Sequence, residues 1–427
     1  MSKELYDFGM IGLGVMGRNF ILNVADNGFS AIGLDKDKEK ANALNVESEG
    51  MENATGTTDI KKFVAALKTP RKIMMLVPAG KVVDIVIEDL LKHVEEGDLI
   101  IDGGNSFFED TDRRATYLKK KKVAFLGVGV SGGAKGARRG PSIMPGGTKG
   151  AYNKVKNILE AVSAKVDGSP CVAYMGKGSA GNYVKMVHNG IEYAMMQLLA
   201  ESYDVLKNIG KLNNKELHEA YAKYNKGKLK SFLVEITAEI FTQKDDLGKG
   251  MLIDKILDKA KQKGTGKWTS QNAMDFGIPV PTIDAAVTMR GLSSLKAERV
   301  AAADVFGIKG RKEKVAKDQL VKEVGDALYF AFITAYAQGL ALLSEASKER
   351  GYGLDLEATA RIWRGGCIIR AGLLESIRKA YSANPSLSNL MVDESFAKFL
   401  KSNHKSARSM IKPVSYTHLT LPTNREV

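Results

Sequence analysis

Four side chains in the stretch Gly181–Gln197 (GNYVKMVHNGIEYAMMQ) stand at a spacing that could do chemistry: Lys185, His188, Asn189 and Glu192. An amine, an imidazole, an amide and a carboxylate can hydrogen-bond a polar ligand and exchange protons with it. Wound at about 3.6 residues per turn, they fall in one stripe roughly 100° wide. The rest of the circumference carries Val184, Met186, Val187, Ile191, Ala194, Met195, Leu198 and Leu199. An ordinary surface helix would leave Lys185 and Glu192 as a solvated pair. An apolar surround broken by a single polar stripe instead fits a helix that lines a polar cavity.

A chain of 427 residues is too long for one typical core, so two or three domains are expected. Apolar residues at 44% and charged residues at 26% give the balance of a soluble globular protein. No apolar run is expected to approach bilayer length, and the N-terminus has no signal-peptide pattern, so a cytoplasmic protein without a membrane partner is expected. The only cysteines, Cys171 and Cys367, fit a reducing compartment and provide neither a disulfide framework nor a zinc cage. The net charge of +14 raises the question of nucleic acid. The tightest basic run, Lys119–Lys122, lacks interleaved aromatics and reads as a solvated turn, so no nucleic-acid partner is expected. A positive field can equally steer a small polyanionic substrate into a cleft.

The elements that must position the stripe begin at the N-terminus. A short apolar strand, Asp7 to Leu13, runs into Gly12-Leu13-Gly14-Val15-Met16-Gly17, and a helical pattern follows from Met16 to about Asn27. This is G-x-G-x-x-G between a strand and a helix, the arrangement that seats a dinucleotide pyrophosphate on a helix N-terminus. A second strand, Ser30 to Leu34, ends at Asp35, where an acidic side chain hydrogen-bonds a ribose hydroxyl. Further apolar strands at Lys72–Val77, Asp98–Asp102, Val123–Val130 and Cys171–Met175 alternate with helical segments. That alternation predicts an α/β, doubly wound (Rossmann) domain over residues 1–177, with loops Pro78–Gly80, Gly103–Ser106 and Ser131–Gly133 at its strand ends. From Gly176 the pattern turns helical, as in Ala327–Ser347, predicting an all-α domain over 178–413. Within it Lys263-Gly-Thr-Gly-Lys-Trp268 has a composition suited to gripping a phosphate. Residues 414–427 lack amphipathic period and read as a non-native tail.

With those residues in place, the chain resembles the decarboxylating 6-phosphogluconate dehydrogenases from about Tyr6 to about His404. The resemblance rests on Gly12–Gly17, Ile101–Asn105, SGGAKGARRGPSIMPGG at Ser131–Gly147, VKMVHNGIEY at Val184–Tyr193 and KGTGKWT at Lys263–Thr269. It implies oxidation of 6-phosphogluconate at carbon 3 by NADP or NAD, loss of carbon dioxide to give ribulose 5-phosphate, no metal, and a homodimer. By the same resemblance Lys185 is the general base, which needs a lowered pKa, and Glu192 is the acid that protonates carbon 1 of the enediol, which needs a raised one. His188 and Asn189 match residues that bond the sugar hydroxyls; Ser131, Gly132 and Gly133 match the loop for the substrate carboxylate. Asn105 matches a residue close to both substrate and nicotinamide. Tyr193, Lys263, Thr265 and Arg290 match the phosphate-binding group, although Arg290 could instead be a surface arginine. The cofactor set adds Asp35, Lys36, Asp37, Val77 and Ala79 to the glycine loop.

The chain departs from the family in three places. NADP-using members usually carry Asn-Arg and then Ser or Thr where this chain has Asp35-Lys36-Asp37. A carboxylate there repels a 2′-phosphate and argues for NAD; Lys36 argues weakly the other way. Pro78 replaces a frequent lysine. The family's C-terminal tail, which brings an arginine and a histidine to the partner's site, has no match in His418 or Arg425. The chain as written is therefore expected to be an incomplete enzyme with a competent cofactor domain. The alternative readings are a related β-hydroxyacid dehydrogenase and a catalytically weak nucleotide-binding protein.

Overall fold

The computed structural model describes residues 5–306 and 315–410. Seven strands, β1 (Phe8–Ile11), β2 (Ala31–Leu34), β3 (Ala54–Thr57), β4 (Lys72–Met75), β5 (Leu99–Asp102), β6 (Ala124–Ser131) and β7 (Ser142–Gly147), form one sheet in the order 3-2-1-4-5-6-7. The first six are parallel and β7 is antiparallel to β6. Every residue of β1, β2 and β5 is buried, as expected of a parallel sheet covered on both faces. Alternate residues feed opposite layers: Phe8, Met10, Leu99 and Ile101 join one core, while Ile11, Ile32, Ile73 and Ile100 join the other.

The parallel register places the carboxyl ends of β1, β2, β4, β5 and β6 along one edge. Backbone bonds stitch that edge together: Gly12 N donates to Leu34 O at 2.9 Å, Leu76 N to Ile11 O at 2.8 Å, and Gly103 N to Met75 O at 2.9 Å. The order reverses between β1 and β4, and the crevice at such a switch point is where open α/β sheets bind ligands.

Two strands, β3 and β7, were not anticipated, and one expected strand is absent. Cys171–Met175 makes only isolated bridges beside β7, at Ile143 with Val172 and at Gly146 with Gly176. A continuous ladder fails there because Pro145, in the middle of β7, has no N–H to offer. Just before this stretch the chain makes a two-residue hairpin, Lys165–Val166 with Ser169–Pro170. Among the described residues no strand follows it.

The chain divides into two compact units, Met1–Met186 with Ala346–Ile368, and Val187–Glu345 with Ile369–Val427. The division between these units runs within the helix Ala180–Asp204. The first turns of that helix belong to the sheet because they approach it backbone to backbone: a Cβ on Gly181 would lie 2.6 Å from Gly146 N. The returning segment is tied in through Lys177 N donating to Tyr352 O at 3.0 Å and Ser142 N to Gly366 O at 2.8 Å.

In the second unit, Val187, Ile191, Ala194 and Met195 of the Ala180–Asp204 helix are buried, as are Ile333, Tyr336, Ala337 and Leu340 of the helix Lys317–Glu349. Gly339 makes room for Ile191, whose side-chain carbons would lie 2.5 Å from a Cβ there. The expectation that no run approaches bilayer length needs correction: Lys317–Glu349 is long and apolar enough, with a mean hydropathy of 1.5 over its most apolar window. That window is 56% buried within the protein, as the window of a core helix is. The expected non-native tail, with His418 and Arg425, lies outside the described residues.

Candidate active site

At the edge of the first unit, the glycine motif divides three tasks. Gly12 holds φ +91°, and a Cβ on it would lie 2.5 Å from Leu76 O. A Cβ on Gly17 would collide with Gly12 O, so the helix packs on the loop only because none is present. Nothing lies within 4 Å of the corresponding position at Gly14, which leaves its face open to a pyrophosphate. The helix Val15–Asp26 starts there with no side-chain cap, so its first N–H groups are available to an anion. Leu13 also contributes its backbone: its N–H donates to Asp35 Oδ2 at 2.8 Å, while Asp37 N donates to Asp35 Oδ1 at 3.0 Å. The end of β2 is therefore fastened to the end of β1 by a carboxylate. Lys36 is exposed, and Asp37 is occupied as the cap of Lys38–Glu47, accepting from Glu39 N at 3.0 Å. Val77 is half-buried beside Gly12 and Ala79 is exposed.

Asn105 is exposed in the loop after β5. Its two neighbours are fixed by Asp102, which accepts from Gly104 N at 3.0 Å and Ser106 Oγ at 2.6 Å. Asp102 is fully buried; burial raises its pKa, opposed by those two bonds and by the Arg114 guanidinium. Asn182 donates through Nδ2 to Gly104 O at 3.3 Å and accepts from Thr111 Oγ1 at 3.1 Å. One helical turn beyond Asn182 comes Lys185, only 6% exposed. Its Cβ lies over Gly129 of β6, where any side chain would collide with it. Ser131, buried, closes β6, and Gly132 and Gly133 follow.

The second unit gathers the remaining candidates. His188 is fully buried, with Nδ1 at 3.1 Å from Asn189 Oδ1 and 3.8 Å from Glu192 Oε2. Asn189 Nδ2 donates to Thr265 Oγ1 at 3.1 Å, linking the stripe to the helix Thr265–Asp275. That helix begins at Gly264 without a side-chain cap. The exposed Lys263 precedes it, and Lys263 N donates to Tyr193 OH at 3.4 Å. The Arg290 guanidinium stacks 3.7 Å from the centre of the Tyr193 ring and donates to Lys261 O at 2.8 Å. Arg290 is thus a held residue of this cluster and not a loose surface arginine. An uncapped helix end, a lysine and a stacked guanidinium together suit an oxyanion.

Three residues that the sequence reading passed over take part in this scaffold. Asp102 lay inside the quoted run Ile101–Asn105, within reach of a motif argument, and Asn182 lay one turn before Lys185, within reach of a helical-spacing argument. Arg114 was not, because in FEDTDRRATYLKK it reads as one more charge on a charged helix.

Known proteins resemble this arrangement along almost the whole chain. The model of the "NAD binding domain of 6-phosphogluconate dehydrogenase" matches residues 7–176, and that of the "6-phosphogluconate dehydrogenase, C-terminal domain" matches residues 181–426. The decarboxylating 6-phosphogluconate dehydrogenase 1 of Spinacia oleracea is 48% identical over 410 residues, covering 94% of this chain and 85% of that one. The NADP(+)-dependent decarboxylating enzyme of Bacillus subtilis is 48% identical over 412 residues, covering 96% and 87%. The structure of Plasmodium falciparum 6-phosphogluconate dehydrogenase, described in its apo form and with NADP+ or 6-phosphogluconate, superposes with a TM-score of 0.93. It is 43% identical and covers 97% of this chain and 90% of its own.

Proposed function

Because the chain is an oxidoreductase that belongs to the 6-phosphogluconate dehydrogenase family, we propose that it oxidatively decarboxylates 6-phosphogluconate to ribulose 5-phosphate with the residues above in the roles the resemblance implies. The observation that carries this reading is Lys185, a lysine taken out of water at the end of β6. A desolvated lysine is the kind that can present a neutral amine and accept a proton. Lys185 takes the proton of the carbon 3 hydroxyl. A nicotinamide dinucleotide held at the glycine loop would supply the acceptor for the hydride of carbon 3. As carbon dioxide leaves the 3-keto acid, the Lys185 ammonium stabilises the enolate oxygen. Glu192 then delivers a proton to carbon 1 of the resulting enediol, the former carbon 2 of the substrate.

His188 and Asn189 hold the sugar hydroxyls, and Ser131, Gly132 and Gly133 hold the carboxylate. Tyr193, Lys263, Thr265 and Arg290 hold the phosphate. The dinucleotide fits the open face of Gly14 and the uncapped helix beyond it. Asp35 favours NAD over NADP, since a carboxylate at that strand end repels a 2′-phosphate. The working assembly is a homodimer.

Initial rates with 6-phosphogluconate and each of NAD and NADP, with ribulose 5-phosphate as the measured product, test the reading. No product with either cofactor sinks the activity and leaves a nucleotide-binding protein. A strong preference for NADP sinks the role of Asp35. With NAD preferred, Asp35→Asn is expected to improve NADP use relative to NAD.

A further inference from the structure

Arg114 lies on the helix Phe108–Lys120, outside every residue assigned a ligand above, and its side chain is only 1% exposed. Its guanidinium reaches two loops at once. On one side Nε donates to Asp84 Oδ1 at 2.8 Å, and Nη2 donates to Asp84 Oδ2 at 3.2 Å and to Gly80 O at 3.0 Å. These bonds fix the turn Pro78–Gly80 and the first turn of the helix Lys81–Leu90. On the other side Nη1 stands 3.6 Å from Asp102 Oδ2, an ion pair between two buried groups. Asp102 in turn holds Gly104 N and Ser106 Oγ, the neighbours of Asn105. One turn earlier on the same helix, Thr111 bonds Asn182, which holds Gly104 O.

We propose that Arg114 is a positioning residue for the reaction: its planar fork sets the Pro78–Gly80 turn and the Gly103–Ser106 loop in mutual register. The side chains Ala79 and Asn105 then meet cofactor and substrate already in place. This rests on the reading above that both loops belong to the ligand site. Arginine is required because its nitrogens diverge in one plane toward two carboxylates and a carbonyl; the single ammonium of lysine can satisfy one side only. The neighbouring Arg113 is exposed and bonds Asp84 and Asp110 instead.

The test compares Arg114→Lys, Arg114→Met and Ser106→Ala with the unaltered full chain. Thermal melting, 6-phosphogluconate affinity and kcat per folded enzyme are read for each. Misplacement of a reacting group by roughly 1 Å costs about 10²-fold, so that is the loss of kcat expected for Arg114→Met, with a smaller loss for Arg114→Lys. Affinity for 6-phosphogluconate should hold, because its phosphate group is gripped in the second unit. A purely structural Arg114 predicts lower melting and unchanged kcat per folded enzyme; that result overturns the proposal. If both Arg114 variants fail to fold, Ser106→Ala decides: a lowered kcat with normal melting supports the loop register, and a normal kcat overturns it. An unaltered chain with no turnover would strike the proposed activity itself, which separates the two failures.

Discussion

Asp35 and Arg290 are both polar residues with a ligand role in the proposed function, yet they are fixed by different means. Asp35 is held by two backbone N–H groups, those of Leu13 and Asp37, which its position at the end of β2 brings within reach. Arg290 is held by side chains and a carbonyl from separated segments: the Tyr193 ring, Met196 Sδ at 3.5 Å and Lys261 O. The first unit sets its site by strand register and close backbone approach. The second sets its site by contacts among helices. Backbone-level changes should therefore disable the dinucleotide end of the first unit, which the glycine loop sets, and side-chain truncations the proposed phosphate group of the second.

Lys185 offers the largest test, because its backbone is placed in the first way while the proposed chemistry needs its amine. Lys185→Met keeps the packing over Gly129 and removes the base. Turnover should fall by at least about 10²-fold while both ligands still bind, as competition and fluorescence titrations can check. Near-normal turnover removes Lys185 from the mechanism. The next effect is Gly17→Ala, a single methyl. It must displace the Gly12 carbonyl, and overpacking of this kind costs about 1–3 kcal/mol. Dinucleotide affinity should drop by about tenfold or more with 6-phosphogluconate affinity unchanged, and equal losses in both would erase the contrast between the units.

The same contrast explains what could be read in advance. Register-set features leave local marks: the glycine spacing, the acidic residue after β2 and the apolar strands β1, β4, β5 and β6 were all legible. Ala54–Thr57 was missed because ATGT is short and only half buried, with no apolar run to announce it. Cys171–Met175 misled in the opposite direction, being apolar like a strand but set beside a proline that interrupts the ladder. The stripe Lys185–Glu192, which begins in the first unit and runs on into the second, was legible from helical period alone. Its union with Thr265 and Arg290 depends on contacts across about 70 to 100 residues, and only the family resemblance could suggest it. Of the linked residues Asp84, Arg114 and Asp102, only Asp102 lay in a run that the resemblance covers; the half-buried Asp84 and the buried Arg114 had neither a local mark nor a resemblance to point to them.

Truncating Arg290 to Met gives a smaller effect that sharpens the comparison from the other side. The stacked guanidinium would be lost while the helices keep their places, so the KM for 6-phosphogluconate should rise by about tenfold, the loss of one charge-assisted contact to a phosphate. Dinucleotide affinity should be untouched. An unchanged KM would make Arg290 a structural cover for Tyr193 and no more.

The smallest effect concerns two carboxyls that burial treats alike and their surroundings treat differently. Burial raises Asp102, but Ser106, Gly104 and Arg114 oppose it. Burial also pushes Glu201 up, to about 7, where only the Gln197 amide at 3.0 Å opposes it and the nearby Asp204 adds to the rise. A carboxyl raised in the folded state binds its proton there more tightly than in the unfolded chain, whose glutamate titrates near about 4.3. Its contribution to stability is therefore complete below about pH 4.3 and is lost as pH rises through about 7. Glu201→Gln keeps the shape and the hydrogen-bonding capacity without the charge, so the variant should melt higher than the unaltered protein at pH 8, by about 2–4 °C, and no higher below about pH 4. Parallel melting profiles across that range would mean that Glu201 reaches water when it ionises, and that the second unit yields to a buried charge more easily than its packing suggests.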